Sequence, residues 1–227
     1  MLSAIIVAAG NSTRVGFDKL FATIAGQPVI QYSIAAFEQS RCVEEIVVVC
    51  REAMMETISK LIGTASIKKV STVIRGGERR QDSVAAGLRA ISATTDFVAI
   101  HDAARPLITP EEIERVFSVA CKEGAAVLAA PVTDTLKQVD ANETICGSIE
   151  REHVFAMQTP QIFSRALLVE AYDRVASQSR RITDEVSAVQ MIGTRIAVVP
   201  ARDQNMKITF ASDLPVAELI LRQRSSS

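Results

Sequence analysis

Short β-branched runs alternate with longer helical stretches from the first residues of the chain onward, and this alternation leaves very few architectures open. The runs cover residues 4–7, 45–50, 70–74, 97–100 and 125–129. Between them the spacing predicts helices over 29–39, 52–62, 82–91 and 110–122. The last of these carries its own start signal, with Thr109 as N-cap, Pro110 at the first helical position and Glu112 to close a capping box. Such alternation calls for right-handed βαβ crossovers, hence an α/β fold with a mostly parallel sheet and helices on both faces. Ligands of these sheets bind at the carboxyl ends of strands, near the topological switch point.

After Pro131 the pattern changes. Alternating stretches at 135–139 and 144–149 flank the polar turn Asp140-Ala141-Asn142-Glu143. They predict a protruding β-arm at residues 133–157, too small to bury a face alone and suited to embracing a second subunit in a homodimer. Helices over 165–176, 184–191 and 212–222 and a strand over 195–199 follow. At 227 residues and 48% apolar the chain fits one domain, residues 1–224, with 225–227 as a disordered tail.

With 25 basic and 26 acidic residues the net charge is −1, so no bulk attraction to nucleic acid or membrane is built in, and an anion must be bound by a local cluster. Cys42, Cys50, Cys121 and Cys146 form no C-x-x-C and have only His101 and His153 beside them as imidazoles, which disfavours zinc. No apolar run reaches spanning length and no leader precedes the first strand, so the expectation is a reduced, cytoplasmic protein.

Residues Ala8-Ala9-Gly10-Asn11-Ser12-Thr13-Arg14-Val15-Gly16-Phe17-Asp18-Lys19 follow the first strand and read as a phosphate-handling loop. Its small residues let backbone amides approach a ligand, and Arg14 and Lys19 add a forked and a point cation. A strand-to-helix turn with two solvated cations is the plain alternative. The loop fits neither G-x-G-x-x-G nor the P-loop, so a nicotinamide or flavin enzyme is disfavoured. Gly76 and Gly77 precede the third helix, where Asp82 or Ser83 reads as its cap and Arg79 and Arg80 as solvated charges. Asp102 follows the fourth strand and suits Mg²⁺, which takes one or two carboxylates plus phosphates. His101 reads as a packed histidine, Thr183 as a helix cap, and Lys207 as an outward lysine on an edge strand over 205–209. Read alone, these residues describe a nucleotide-utilising α/β enzyme.

The ordered blocks say more. Ala8-Ala9-Gly10 with Arg14 and Lys19, Gly76-Gly77 with Asp82-Ser83-Val84, and His101-Asp102-Ala103-Ala104-Arg105-Pro106 come first. Pro131-Val132-Thr133-Asp134-Thr135, Arg151 with Gln158-Thr159-Pro160-Gln161, Thr183-Asp184-Glu185, and Asn205-Met206-Lys207-Ile208-Thr209 complete the series. Along almost the whole chain this resembles the 2-C-methyl-D-erythritol 4-phosphate cytidylyltransferases. The resemblance implies a three-layer, doubly wound, Rossmann-like nucleotidyltransferase fold and transfer of cytidylyl from CTP to methylerythritol phosphate with release of pyrophosphate.

It also implies roles. Arg14, Lys19 and Lys207 would act catalytically on the triphosphate, and Asp102 would hold Mg²⁺. Ala8, Ala9, Gly10, Gly77, Ser83 and Ala103 would contact CTP. Asp102, Arg105, Thr135, Arg151, Thr159 and Thr183 would hold the second substrate, with Thr135 and Arg151 donated across a homodimer by the arm. The chain departs from the family pattern at Ser12, often glycine, in the short spacing from Arg14 to Lys19, and at neutral Gln204, where some members are acidic. A ribitol 5-phosphate cytidylyltransferase, a non-catalytic nucleotide-binding protein and a sugar-1-phosphate uridylyl- or thymidylyltransferase are the competing readings.

Overall fold

A computed structural model describes residues 1–10 and 18–225. Arg14 and residues 226–227 lie outside them. In chain order the elements are β1 (Leu2–Ala8), β2 (Thr23–Ile24), β3 (Gln27–Pro28), α1 (Val29–Gln39), β4 (Val43–Cys50), α2 (Met55–Thr64), β5 (Val70–Arg75), α3 (Arg80–Ala90), β6 (Phe97–Asp102) and α4 (Pro110–Glu123). There follow β7 (Ala125–Pro131), β8 (Leu136–Val139), β9 (Ile145–Ile149), β10 (Phe155–Ser164), α5 (Arg165–Ser177), α6 (Glu185–Gln190), β11 (Ala197–Pro200) and α7 (Asp213–Ser225).

Seven strands form the main sheet in the order β11-β7-β10-β6-β1-β4-β5. β1 runs parallel to both β4 and β6, and β5 and β11 are parallel to their neighbours β4 and β7. Only β10 runs against the rest, antiparallel to β6 on one side and β7 on the other. It is a ten-residue strand that the sequence pattern does not predict. Its register slips between Met157 and Gln161, which takes Gln158, Thr159 and Pro160 out of the regular ladder.

Successive side chains of a strand point to opposite faces, so a strand covered on both sides reads as an unbroken apolar run. In β1, Ala4 and Ile6 join a core built with Ile30, Ile34 and Phe37 of α1 and Ile113 and Val116 of α4. Ile5, between them, joins the opposite core with Val84 and Leu88 of α3 and Leu168 and Val175 of α5. The sheet thus has a helical layer on each face. Each fully buried Ile or Phe contributes about 1.5–3 kcal/mol. A smaller core of Ile24, Val29, Leu107, Ile208 and Ala217 seats α7 against the β2–β3 pair.

Several local expectations are corrected. α3 begins at Arg80 rather than at residue 82, because Asp82 sits in its first turn and accepts the backbone N–H of Arg79 at 3.1 Å. α4 has its Thr109 cap and Pro110, but the Glu112 carboxylate accepts from the Arg202 amide and Arg115 instead of returning to close a capping box. α6 is capped by Asp184, whose carboxylate accepts the Ser187 amide at 3.0 Å; Thr183 is not the cap. Residues 205–209 form no strand: Ile208 makes one backbone bond to Ala104, and the Asn205 side chain is buried against Thr159 and Gln158. α7 includes Ser225, the first residue of the expected tail.

Among the described residues, β8 and β9 pair only with each other. Their turn is held by Asp140, whose carboxylate accepts the amides of Asn142 and Thr144 at 2.9 Å, while Glu143 takes a left-handed φ of 61°. Val139, Ile145 and Ile149 of this hairpin are exposed.

Candidate active site

The carboxyl ends of β1, β5 and β6 open on one cleft of about 330 Å³, lined among others by Ala8, Ala9, Gly10, Lys19, Ser83 and Asp102. Close approach of backbone shapes its rim. A Cβ on Gly76 would stand 2.5 Å from the Ala9 Cβ and 2.7 Å from the Ser83 Oγ, so only glycine lets the loop after β5 lie against both. The Gly77 amide donates to the Ser83 hydroxyl at 3.2 Å. Lys19 donates to the Ile208 carbonyl at 2.8 Å, tying the first loop to the segment that carries Lys207.

Asp102, the last residue of β6, is the electrostatic centre. Its Oδ1 accepts from Arg80 Nε at 3.1 Å and its Oδ2 from Lys207 Nζ at 2.7 Å. Burial pushes its carboxyl upward, but the charges of Arg80, Lys207 and Arg105 outweigh that and hold it well below the usual carboxylate range. Arg80 is not a solvated charge: only 26% of its side chain is exposed, and its other arm donates to both oxygens of Glu185 at 2.7 and 2.9 Å. Lys207 does not point outward, because the buried Asn205 turns the segment so that its ammonium reaches Asp102.

A second set of contacts fixes the floor. The Thr159 hydroxyl accepts the Asp102 amide at 3.1 Å and lies 3.0 Å from His101 Nδ1, while His101 Nε2 lies 3.3 Å from the Arg105 carbonyl. Full burial pushes His101 down to about 3, so it stands neutral with both ring nitrogens engaged. That matches its reading as a packed residue. Arg105 donates to the Asn205 carbonyl at 2.8 Å, and burial lowers its pKa. The Nε of Arg105 and the Oδ1 of Asn205 are buried with no partner among the described residues, which leaves a donor and an acceptor for a ligand or water.

A family model described as 2-C-methyl-D-erythritol 4-phosphate cytidylyltransferase (IspD) matches residues 2–223. The chain belongs to that family. It is 37% identical to the cytidylyltransferase of this name from Alkaliphilus oremlandii over 225 residues, covering 98% of this chain and 95% of the relative. The one from Halalkalibacterium halodurans is 38% identical over 224 residues, with 98% and 97% covered. Among solved structures, the 4-diphosphocytidyl-2C-methyl-D-erythritol synthase of Anaerococcus prevotii superposes with a TM-score of 0.87 at 25% identity, covering 97% and 98% of the two chains. Membership makes the protein a nucleotidyltransferase.

The fold brings together Ala8, Ala9, Gly10, Lys19, Ser83, Asp102 and Lys207 of the residues expected in a cytidylyltransferase site, with Thr159 and Arg105 beneath. Ala103 is fully buried, and Ala104 rather than Ala103 lines the cleft. Thr183 is exposed, with its hydroxyl 3.4 Å from that of Ser187. Thr135 and Arg151 flank the β8–β9 hairpin, both exposed, and Arg151 donates to the Thr133 carbonyl rather than entering the cleft. Arg14 lies outside the described residues.

No local pattern in the sequence marks Arg80, Glu185 or Asn205 as part of the site. Glu185 stood inside the Thr183-Asp184-Glu185 block, which is the one signal that pointed near it.

No three His, Cys, Asp or Glu side chains gather as a metal cage among the described residues. Mg²⁺ commonly keeps its waters and takes one or two carboxylates together with substrate phosphates. Asp102 suits that role, since each of its oxygens accepts one hydrogen bond here and keeps a lone pair for a cation. Gln204 is neutral and exposed, leaving Asp102 as the carboxylate of this donor set.

Proposed function

We propose that the chain transfers the cytidylyl group of CTP to 2-C-methyl-D-erythritol 4-phosphate, forming 4-diphosphocytidyl-2-C-methyl-D-erythritol and pyrophosphate. The observation that carries this reading is the convergence of Lys19, Lys207, Arg80 and Asp102 on a cleft rimmed by Ala8, Ala9 and Gly10. An oxygen of the acceptor phosphate bonds to the α-phosphorus as the bond to the β-phosphate breaks, and the electron pair leaves with pyrophosphate. The attacking phosphate is already ionised at neutral pH, so the reaction needs no general base, in keeping with a neutral, enclosed His101.

The protein's work is positioning and charge stabilisation. The small residues after β1 admit the nucleotide, with Ser83, Gly77 and Ala104 near its base and ribose. Lys19, Lys207 and Arg14 neutralise charge that grows on the phosphates. Asp102 would hold Mg²⁺, which when bound would supply Lewis-acid polarisation of the phosphate oxygens. Arg105, Thr159 and Thr183 hold the acceptor, and a second copy of the chain lends Thr135 and Arg151 from its β8–β9 arm. The exposed Val139, Ile145 and Ile149 of that hairpin support a homodimer. Four free cysteines suit a cytoplasmic setting, and no helix among the described residues is long and apolar enough to cross a membrane.

Pyrophosphate release from CTP with Mg²⁺ tests the reading, using methylerythritol 4-phosphate, ribitol 5-phosphate or no acceptor. Turnover with the first alone is expected. Turnover with ribitol phosphate alone moves the protein to the neighbouring polyol, and CTP binding without turnover makes it a nucleotide-binding protein.

A further inference from the structure

Glu185 opens α6 with none of its side chain exposed, beneath the cleft rather than in it. Both its oxygens accept from Arg80 Nη1, and Oε1 also accepts the Tyr172 hydroxyl at 3.0 Å. The same guanidinium turns Nε to Asp102 at 3.1 Å. Because the guanidinium is a rigid planar fork, fixing one arm fixes the direction of the others. Stability does not account for the arrangement, since a buried ion pair is often no better for folding than apolar side chains of the same volume. Its third member faces the cleft.

We propose that Glu185 is a positioning residue for the reaction: by holding Arg80 Nη1 it sets Arg80 Nε against Asp102, and so fixes how the Asp102 carboxylate is presented to the phosphates. This rests on the cytidylyl-transfer reading. Replacing Glu185 by glutamine leaves Arg80 with Asp102 as its remaining buried anion, and the guanidinium is then free to pivot and pull that carboxylate with it. Lys207, 40% exposed and bound to the other oxygen, does not supply the missing restraint, because an ammonium on a flexible stem follows its partner.

The test uses the full chain and a double-variant cycle. Steady-state kinetics and CTP calorimetry are run on Glu185→Gln, Glu185→Asp and Asp102→Asn, and on Asp102→Asn combined with Glu185→Gln, at a temperature where melting curves show each variant folded. Glu185→Gln is expected to lower kcat about 10- to 100-fold, the usual cost of losing a group that orients a reacting ligand, with KM for the acceptor moving far less. Glu185→Asp recovers part of the loss by restoring the charge. In the Asp102→Asn background, Glu185→Gln costs little more, in kcat and in CTP affinity alike. Losses that multiply in the double variant, or a Glu185→Gln enzyme within a few-fold of the parent, overturn the proposal. Where Glu185→Gln does not fold, Tyr172→Phe keeps the carboxylate, removes one hydrogen bond and carries the same cycle. A parent protein that releases no pyrophosphate strikes the reaction itself, while the CTP cycle still reports whether Glu185 acts through Asp102.

Discussion

Adding one methyl group at Gly76 gives a sharp test of how the cleft is assembled. Ordinary carbon contacts lie at about 3.5–4.0 Å. The alanine Cβ would stand 2.5 Å from the Ala9 Cβ and 2.7 Å from the Ser83 Oγ, so the first loop and the start of α3 must separate by about 1 Å. Ala9 hangs on backbone with no flexible end to swing away. Overpacking of this kind costs about 1–3 kcal/mol. For a chain of this size that is a fall in melting temperature of about 2–12 °C. A displacement near 1 Å between groups that grip the nucleotide costs up to about a hundredfold in rate. Gly76→Ala is therefore expected to lower kcat/KM by roughly one to two orders of magnitude. Adding Ala9→Gly removes the closest contact and should restore much of both losses, a coupling of about 1 kcal/mol or more. The assay is pyrophosphate release with parallel calorimetric melting. Gly76→Ala with activity within a few-fold of the parent and an unchanged melting temperature refutes the reasoning, as does a double variant no better than the single one.

Lys19→Ala and Lys207→Ala should each lower turnover by about a hundredfold, the scale of losing one transition-state donor, with little change in unfolding free energy; turnover kept in both would remove the roles assigned to them. Arg151→Ala should chiefly weaken the acceptor's binding, and mixing it with Lys19→Ala protein should return activity through sites shared between subunits, so inactivity of verified mixed dimers would confine each site to one chain. His101 titrates near 6.5 when unfolded and is held down to about 3 in the fold, so below pH 6.5 the unfolded chain binds the extra proton and stability falls with pH. The slope approaches about 1.4 kcal/mol per pH unit, and the difference between the parent and His101→Gln in urea unfolding from pH 7 to pH 5 should show it; parallel curves would count against it.

The sequence made the parallel sheet legible because its strands are buried on both faces and its helices keep their period. The first helix falls on residues 29–39 as its spacing predicts. β10 was hidden by its composition. Gln158-Thr159-Pro160-Gln161 looks like a loop, since proline inside a strand removes a ladder donor. It is buried because Thr159 is satisfied by Asp102 and His101, and Gln161 by Asp184 and the Val186 amide. Those partners are far away in sequence, and no local pattern announces them. Arg80 reads as a solvated charge for the same reason. Its carboxylates come from Asp102 and from Glu185, which lies 105 positions downstream, and only folding reveals that two helix starts and one strand end meet there.

The place of β10 in the sheet also dictates an order of assembly during synthesis. β6 and β7 follow one another in the chain but never pair; β10 lies between them. A growing chain that has reached Pro131 can join β1, β4, β5 and β6, but β6 then shows an open edge and β7 has no partner to receive it. Unpaired edges of this kind invite the wrong neighbour, and contacts between distant segments are slow to form. The ribosome must deliver the β8–β9 hairpin and then Phe155–Ser164 before the second half of the sheet can close. The strand that carries Thr159 beneath the cleft is also the one whose arrival joins β7 to the rest of the sheet.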